Sequence, residues 1–251
     1  MGGASRGKKR RDQEAAQRRL AAAGIRTPQK NNRRPLIIVA AVLVVAVIVG
    51  GVVLLTQRGS STTVTPTYTA TASGAVATAG NGPVVVDVYE DYLCPVCERF
   101  EQAYGSEITQ ALNAGQITVR YHSIAILDSR SNPPGYSTRA ANAALCSAPS
   151  GIFPAYHAAL YAQQPAEGSA GLSDDQLIAI GTQLGAKSDF APCVTSGANA
   201  AAVAAETAAA ESNPALQSNG VFGTPTVAIN GAKVDLNNSN WLQDAISAGG
   251  R

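Results

Sequence analysis

Two cysteines separated by two residues, in the segment Cys94-Pro95-Val96-Cys97, are the side chains best suited to chemistry. A thiolate is a strong nucleophile, and two thiols at this spacing can close and open a disulfide with little movement of the backbone. The apolar run before them predicts a strand, and the apolar positions after them predict a helix. Free N–H groups and the dipole at a helix N-terminus stabilise a thiolate. The pattern therefore predicts a redox-active cysteine pair.

Zinc sites use the same Cys-x-x-Cys spacing, but they need two further ligands. The remaining candidates are Cys146, Cys193, His122 and His157, and they form no second closely spaced pair. We therefore expect no metal and no cofactor other than the disulfide of the first pair. His122 falls in a predicted strand, where we expect a packing or edge role. His157 falls in a predicted helix, where we expect a surface or interhelix hydrogen bond.

The elements around the cysteine pair predict a βαβ unit. Residues 84–89 form the first strand, and the following helix carries an apolar residue every four positions until it ends at residues 113–115. Residues 117–124 then give a second strand. Because a helical crossover joins the two strands, we expect them to be parallel.

The chain after this unit changes from helical to extended patterns. Residues 135–211 are rich in alanine and predict three or four helices, over about 140–146, 154–163, 173–184 and 198–211, with a capping box at Ser173–Gln176. Residues 221–231 predict a strand that turns at Asn230-Gly231 into a partner over residues 232–236, and a last helix begins near Trp241. This order predicts an α/β thioredoxin fold with an inserted α-helical domain.

The first part of the chain differs sharply in charge and hydrophobicity. Residues 1–34 hold eleven lysines and arginines and two acidic residues, whereas the rest is acidic. Residues 36–55 are an unbroken apolar run, about 30 Å long as a helix, which is the thickness of a bilayer core. We predict a basic cytoplasmic tail (1–35), one N-terminal transmembrane helix (36–55), a flexible Thr/Ser/Ala/Gly-rich stalk (56–80) and an extracytoplasmic domain (81–251).

Two other interpretations of the N-terminal part remain open. A cleavable signal peptide has a shorter apolar core, and the nearest Ala-x-Ala site, Ala70–Ala72, lies far beyond the run. The basic run Lys8–Arg11 could bind nucleic acid, but we expect it to set topology and to contact anionic membrane lipid. We therefore predict a single-pass protein of the cell membrane with a cytoplasmic N-terminus and no nucleic-acid partner.

Several motifs, in order, resemble the DsbA-like family of extracytoplasmic thiol–disulfide oxidoreductases. The resemblance covers roughly residues 83–248, and its most specific part is the combination of Cys-Pro-x-Cys with a distant Gly-Thr-Pro-Thr. The matching segments are Asp91–Cys97 with Phe100-Glu101, Arg139–Cys146, Phe153–Leu160, Leu172–Leu177, Gly223–Thr226 and Ile229–Gly231.

The resemblance implies roles for individual residues. Cys94 would be the exposed nucleophilic cysteine and Cys97 the buried resolving one. Pro225 would be a cis-proline beside the pair, and Thr224 would present its backbone to an extended substrate. Pro95 and Val96 would tune the redox properties of the pair, as the residues between the cysteines.

Two departures from the family pattern concern the strength of oxidation. Strongly oxidising members often have a histidine between the cysteines, where Val96 offers neither charge nor donor. Many members have a buried acid six residues before the first cysteine, where this chain has Val88. We expect the pKa of Cys94 to lie below that of a free thiol, and the protein to be a milder oxidant than the histidine-containing type.

The second cysteine pair, Cys146 and Cys193, is predicted to form a structural disulfide within the helical insert. Four cysteines, all after the apolar run, suit an oxidising compartment. Two inert buried thiols and a second redox pair are the alternatives.

The functional hypothesis is a disulfide oxidase that acts on unfolded or reduced secreted and envelope proteins. Family resemblance implies a quinone-linked membrane oxidoreductase that re-oxidises it, and we expect a monomer because no dimerisation domain is evident. The alternatives are a disulfide reductase or isomerase with the same site, a redox-inactive chaperone-like peptide binder, and a membrane sensor.

Overall fold

The computed structural model describes residues 64–249, together with Arg18. The predicted membrane span at 36–55 lies outside the described residues, as does the basic tail apart from Arg18. None of the described helices is long and apolar enough to cross a membrane. The elements that follow all belong to residues 64–249.

A six-stranded mixed sheet forms the core of the fold. Its strands are Ala70–Ser73 (β1), Val76–Gly80 (β2), Val84–Glu90 (β3), Ile117–Ser123 (β4), Thr226–Ile229 (β5) and Ala232–Lys233 (β6). They lie in the order β1-β2-β4-β3-β5-β6. Strands β3 and β4 are parallel, as predicted, because a helical crossover joins them, and the other neighbours are antiparallel.

The hairpin of β1 and β2 corrects the predicted stalk, which is wrong over residues 70–80. Strand β2 pairs along its whole length with β4. Ala75, Ala77 and Ala79 are buried against the core, at alternate positions. Alanine, threonine and glycine resemble a linker in composition, and alanine side chains are too small to give a strong period-two hydrophobic pattern. The folded domain therefore begins before residue 81.

Helix α1 (Pro95–Asn113) begins where the sequence predicts, with proline at its first position. Its apolar stripe is buried through Phe100, Ile108 and Leu112. The ring of Phe100 stacks 6.4 Å from that of Trp241, which begins helix α7 (Trp241–Gly249). Packing of this stripe fixes the position of the first turn of α1.

Five α-helices lie between β4 and β5, against the three or four predicted. They are Tyr136–Ser147 (α2), Phe153–Ala162 (α3), Asp174–Gln183 (α4), Phe190–Ser196 (α5) and Ala200–Ser212 (α6). Helix α5 escaped prediction because seven residues are too few for a helical period to stand out. The predicted capping box is confirmed: Ser173 Oγ accepts from the N–H of Gln176, and the Gln176 side chain accepts from the N–H of Ser173.

His122 in β4 connects the sheet with helix α6. Its Nε2 lies 3.0 Å from Asp87 Oδ1, and its Nδ1 lies 2.7 Å from Glu206 Oε1. Its ring stacks on Tyr89 at a centroid distance of 4.1 Å. Burial by itself would lower the pKa of His122, but its hydrogen bonds to Asp87 and Glu206 raise it. The predicted packing role is thus combined with a polar link to the insert.

The chain returns to the sheet later than predicted. Residues 221–225 form a loop rather than a strand, and the peptide bond between Thr224 and Pro225 is cis. The predicted turn is confirmed, because Asn230 and Gly231 have φ values of 52° and 78° between β5 and β6. The loop brings Thr224 and Pro225 to the edge of β5, next to the strand that precedes the cysteines.

Candidate active site at the start of helix α1

The cysteine pair occupies the first turn of helix α1. Cys94 is the N-cap residue, and its carbonyl accepts hydrogen bonds from the N–H groups of Cys97 (3.0 Å) and Glu98 (3.2 Å). Both cysteines are free thiols. Between them, Pro95 begins the helix and Val96 is 46% exposed. The structure therefore places this pair at the strand-to-helix turn.

Cys94 is less accessible than the family resemblance implies. It is only 5% exposed, and Cys97 is 1% exposed, so the expectation of an exposed Cys94 is wrong. In its protonated form, the Cys94 thiol donates to the Thr224 carbonyl at 3.3 Å. Gln164, just after helix α3, donates to the carbonyls of Tyr92 and Cys94 at 3.1 Å each. The loop before β5 and the end of α3 therefore both lie against the cysteine loop.

The two thiols have opposite pKa shifts. A hydrogen bond from the Cys97 thiol, opposed by burial, lowers the pKa of Cys94 to about 6, and the Thr224 hydroxyl and nearby N–H groups act in the same direction as Cys97. Burial, followed by the neighbouring Cys94, raises the pKa of Cys97 well above that of a free thiol. At neutral pH Cys94 is mostly thiolate and Cys97 keeps its proton. Of the two thiols, Cys94 therefore has the higher thiolate fraction.

The thiolate of Cys94 is expected to titrate near pH 6 in the reduced protein, followed by its ultraviolet absorbance. Because this pKa is depressed relative to the unfolded chain, the stabilisation of the reduced form is full above the ordinary thiol pKa and is lost as the pH falls towards 6. Thr224→Val should raise the midpoint, because the Thr224 side chain is among the groups that lower this pKa.

Thr195→Val is the matched control for this titration, because Thr195 is exposed and its hydroxyl donates to the Ala191 carbonyl in helix α5. It should leave the midpoint unchanged. A midpoint near the free-thiol value of about 8.5 in the unsubstituted protein would contradict the assignment of Cys94 as the stabilised thiolate.

Asp91 is a structural acid that the sequence analysis did not recognise. Its Oδ1 accepts from the N–H of Leu93 (2.9 Å) and the hydroxyl of Ser137 (2.7 Å), and its Oδ2 accepts from the N–H of Leu127 (2.9 Å). Burial raises its pKa to about 6. Asp91 therefore ties the cysteine loop to helix α2. One sequence signal could have indicated this role: an aspartate at the start of a loop can accept a hydrogen bond from the N–H two residues later.

Glu90, Glu101 and His157 form a cluster beneath the cysteine helix. His157 Nε2 lies 2.8 Å from Glu90 Oε1, so the hydrogen-bond partner of His157 is on strand β3 rather than on the surface or another helix. Burial by itself would lower the pKa of His157, but the charges of Glu90 and Glu101 raise it to about 9. Burial raises the pKa of Glu101 to about 7. The sequence contained no signal for this long-range contact.

A disulfide joins Cys146 of helix α2 to Cys193 of helix α5, with a Cα–Cα distance of 5.9 Å. Cys146 is buried, and the Asn199 amide nitrogen lies 3.4 Å from its sulfur. This link connects two helices of the insert. Because the disulfide occupies both sulfurs, neither cysteine is free to bind a metal ion or to exchange with Cys94 or Cys97 in this state.

The sheet is of the thioredoxin type. A Cys-x-x-Cys pair lies at the start of the first long helix, opposite a cis-proline loop, and these features together define a thioredoxin-fold protein. The family model described as Thioredoxin matches residues 74–248. The chain belongs to this thioredoxin family. The match begins within the β1–β2 hairpin, which agrees with a domain that starts before residue 81.

Two solved structures from Mycobacterium tuberculosis are similar to this chain. Oxidised DsbA is 32% identical, with a TM-score of 0.59 over 72% of this chain and 91% of that chain. Reduced DsbG, described as a disulfide bond oxidoreductase, is 30% identical, with a TM-score of 0.55 over 67% of this chain and 86% of that chain. The fold and family are thus shared with oxidoreductases of the DsbA and DsbG type.

A curated relative has a different overall organisation. The serine/threonine-protein kinase PknE of M. tuberculosis is 31% identical over 166 residues, which is 64% of this chain. The chain spans only 29% of the length of that kinase. The similarity therefore concerns one part of the kinase.

Proposed function

We propose that this protein is a thiol–disulfide oxidoreductase of the DsbA/DsbG type that acts mainly as a disulfide oxidase. The observation that carries the proposal is the asymmetry of the pair: the pKa of Cys94 is lowered to about 6, and that of Cys97 is raised. A stabilised thiolate favours the reduced form of the pair, so the oxidised form readily transfers its disulfide. The proposed substrates are reduced, unfolded secreted or envelope proteins.

The proposed reaction proceeds in two exchange steps. A substrate thiolate attacks the sulfur of Cys94 in the oxidised pair, forming a mixed disulfide, and Cys97 leaves with the bonding electrons and takes up a proton. A second substrate thiolate then attacks the substrate sulfur of the mixed disulfide, and Cys94 leaves as a thiolate. The substrate loses two electrons to the cysteine pair. The low pKa of Cys94 makes it a good leaving group in the second step.

We assign substrate contact to the surface beside Cys94. The Thr224 carbonyl lies 3.3 Å from the Cys94 sulfur, and Pro225 follows in the same loop. Val96 and Val221 are the exposed large apolar side chains of the part that the structure describes, at 46% and 68%. Val96 lies between the two cysteines and Val221 precedes Thr224 by three positions in the chain, so we propose that the substrate segment is extended and apolar.

A disulfide reductase or isomerase with the same cysteines is the second candidate. The similarity to DsbG and the apolar Val96 between the cysteines favour it, since the Val96 side chain offers neither charge nor donor to stabilise the reduced form. A redox-inactive peptide binder would retain its function after loss of Cys94, whereas either enzyme would not.

We further propose that the domain works outside the cytoplasm, anchored by residues 36–55. The apolar run with its basic flank supports an anchor, and the Cys146–Cys193 disulfide is typical of an oxidising compartment.

An oxidase must be re-oxidised after each cycle, and a quinone-linked membrane oxidoreductase would supply this step. Membrane lipid is the other expected partner, and the protein is proposed to act as a monomer.

The reduction potential of the cysteine pair decides between oxidase and reductase. For the full chain equilibrated with glutathione, we expect a value of roughly −120 to −180 mV, read from the fraction of alkylated Cys94 by mass spectrometry. The Cys146–Cys193 peptide in the same digest is an internal control that should stay linked. A value of roughly −250 mV or lower would contradict the oxidase and favour the reductase.

A further inference from the structure

No side chain of the cluster of Glu90, Glu101 and His157 forms or breaks a bond in the proposed exchange steps, although the charge of Glu90 contributes to the raised pKa of Cys97. Its members come from three elements, strand β3, helix α1 and helix α3. One donor atom of each lies within 4.8 Å of the other two. Among the described residues 64–249, this cluster is the one group of three histidine, cysteine or carboxylate side chains whose donor atoms lie this close together. The fold has therefore brought together three potential ligands that are far apart in sequence.

Several polar atoms of this cluster are buried without a partner. Glu90 is 1% exposed, yet its Oε2 has no hydrogen bond within the described part of the chain, and neither has Glu101 Oε1. The hydroxyl of Tyr161, which is nearly inaccessible, also has no hydrogen bond within the described part of the chain. A buried carboxylate oxygen without a donor or a cation is unfavourable. A ligand that accepts lone pairs from both carboxylates would satisfy the two carboxylate oxygens.

A cavity of about 420 Å³ gives access to the cluster. Glu101, His157 and Tyr161 line it, together with the aromatic rings of Tyr68 and Phe153. The cavity has room for water molecules, so an ion that enters it could complete its coordination with water. The cavity lies along the α1–α3 face, and Cys94 and Cys97 do not line it.

We propose that Glu90, Glu101 and His157 bind a divalent transition-metal ion of the zinc class. One imidazole and two carboxylates are a suitable ligand set for Zn²⁺, with an open position for water. Ligand atoms at about 2.0–2.2 Å from one ion lie at most about 4.4 Å apart, so side-chain rotations that shorten the 4.8 Å span complete the site. The ion would replace the proton between His157 Nε2 and Glu90 Oε1. The site needs neither sulfur as a ligand.

The test uses the full chain without an affinity tag. The protein carries Cys94→Ser and Cys97→Ser, because the two thiols would themselves bind the metal ion. Co²⁺ is the spectroscopic probe, titrated by visible absorbance and then displaced by Zn²⁺. We expect one ion per chain. Glu101→Gln and His157→Gln should each weaken binding by about tenfold or more. Glu98→Gln, on the same helix and cavity, should leave the affinity within about twofold, since Glu98 is outside the ligand geometry.

X-ray absorption of the Zn²⁺-loaded double-serine protein gives a second measurement that does not depend on cluster variants folding. We expect nitrogen and oxygen ligands at about 2.0–2.2 Å and the scattering of one imidazole. Absence of stoichiometric binding overturns the proposal. Equal affinity in the Glu101→Gln, His157→Gln and Glu98→Gln proteins, or a spectrum without imidazole, would mean an adventitious surface ion only and would also overturn it.

Discussion

Cys94→Ser is expected to reduce the rate of disulfide transfer to that of the solution without enzyme. Serine forms no disulfide, and its hydroxyl does not ionise near neutral pH, so both the mixed disulfide and the leaving thiolate are lost. The measurement is the oxidation rate of a reduced model peptide with two cysteines, in a glutathione buffer. This effect is the largest that the site predicts, because every step of the proposed reaction uses the Cys94 sulfur.

Cys97→Ser should instead accumulate a mixed disulfide. The Cys94 thiolate of this variant attacks a substrate disulfide, forming a bond to one substrate sulfur and releasing the other as a thiolate. No second enzyme thiol is then available to release the substrate. Non-reducing electrophoresis and mass spectrometry should find the substrate attached to Cys94, and a reductant should release it.

The matched control for both variants is the alanine double substitution of Cys146 and Cys193. It removes both sulfurs of the insert and leaves the Cys94–Cys97 pair in place, so it should keep peptide oxidation when the assay is run well below its melting temperature. Activity retained in Cys94→Ser would contradict the assignment of the redox pair. A mixed disulfide that accumulates in Cys94→Ser rather than in Cys97→Ser would reverse the roles of the two cysteines.

The helical insert has a positional role in this chemistry. Asp91 binds the hydroxyl of Ser137 in helix α2, and Gln164, just after helix α3, binds the carbonyl of Cys94. These contacts hold the loop between β3 and α1 from the side of the insert, while Thr224 contacts the Cys94 sulfur from the loop before β5. The pKa of Cys94 therefore depends on residues up to 130 positions away. An insert that merely covered the sheet would not need these polar contacts.

The parts of the fold that local patterns determine could be predicted from the sequence. The strand before Cys94, the helix from Pro95 and the turn at Asn230-Gly231 each have a signal within a few residues, and the structure contains all three. The β1–β2 hairpin was missed because its buried side chains are alanines, which have the composition of a linker. The two strands were missed because their apolar and polar side chains differ little in hydrophobicity, not because the strands are short.

Contacts between distant residues could not be predicted in the same way. The burial of Cys94 depends on how the loop at Thr224 and the end of helix α3 pack, and the Glu90–His157 contact joins residues 67 positions apart. Single-residue patterns contain no information about such pairs. The sequence could therefore place the cysteine pair at the start of its helix, but not the acid and imidazole that lie beneath that helix.

Removal of the Cys146–Cys193 disulfide by alanine substitution at both positions is expected to lower the free energy of unfolding by about 4 kcal/mol. The link closes a loop of 47 residues, and the chain entropy of the unfolded state rises when it is absent. For a domain of this size the melting temperature should fall by roughly 10 °C, because each kcal/mol corresponds to about 2–4 °C. Thermal denaturation followed by circular dichroism measures the change.

Alanine substitution of both Cys94 and Cys97 is the comparison for this stability experiment, because that pair closes a ring of only four residues and should shift the melting temperature much less. The pKa of Cys94 in the Cys146/Cys193 variant should stay near 6, since the Cys97 thiol and the Thr224 hydroxyl that lower it are unchanged. An unchanged melting temperature would mean that the insert gains no stability from the link. A large rise in the pKa of Cys94 would mean that the insert needs this link to position the cysteine loop through Asp91 and Gln164.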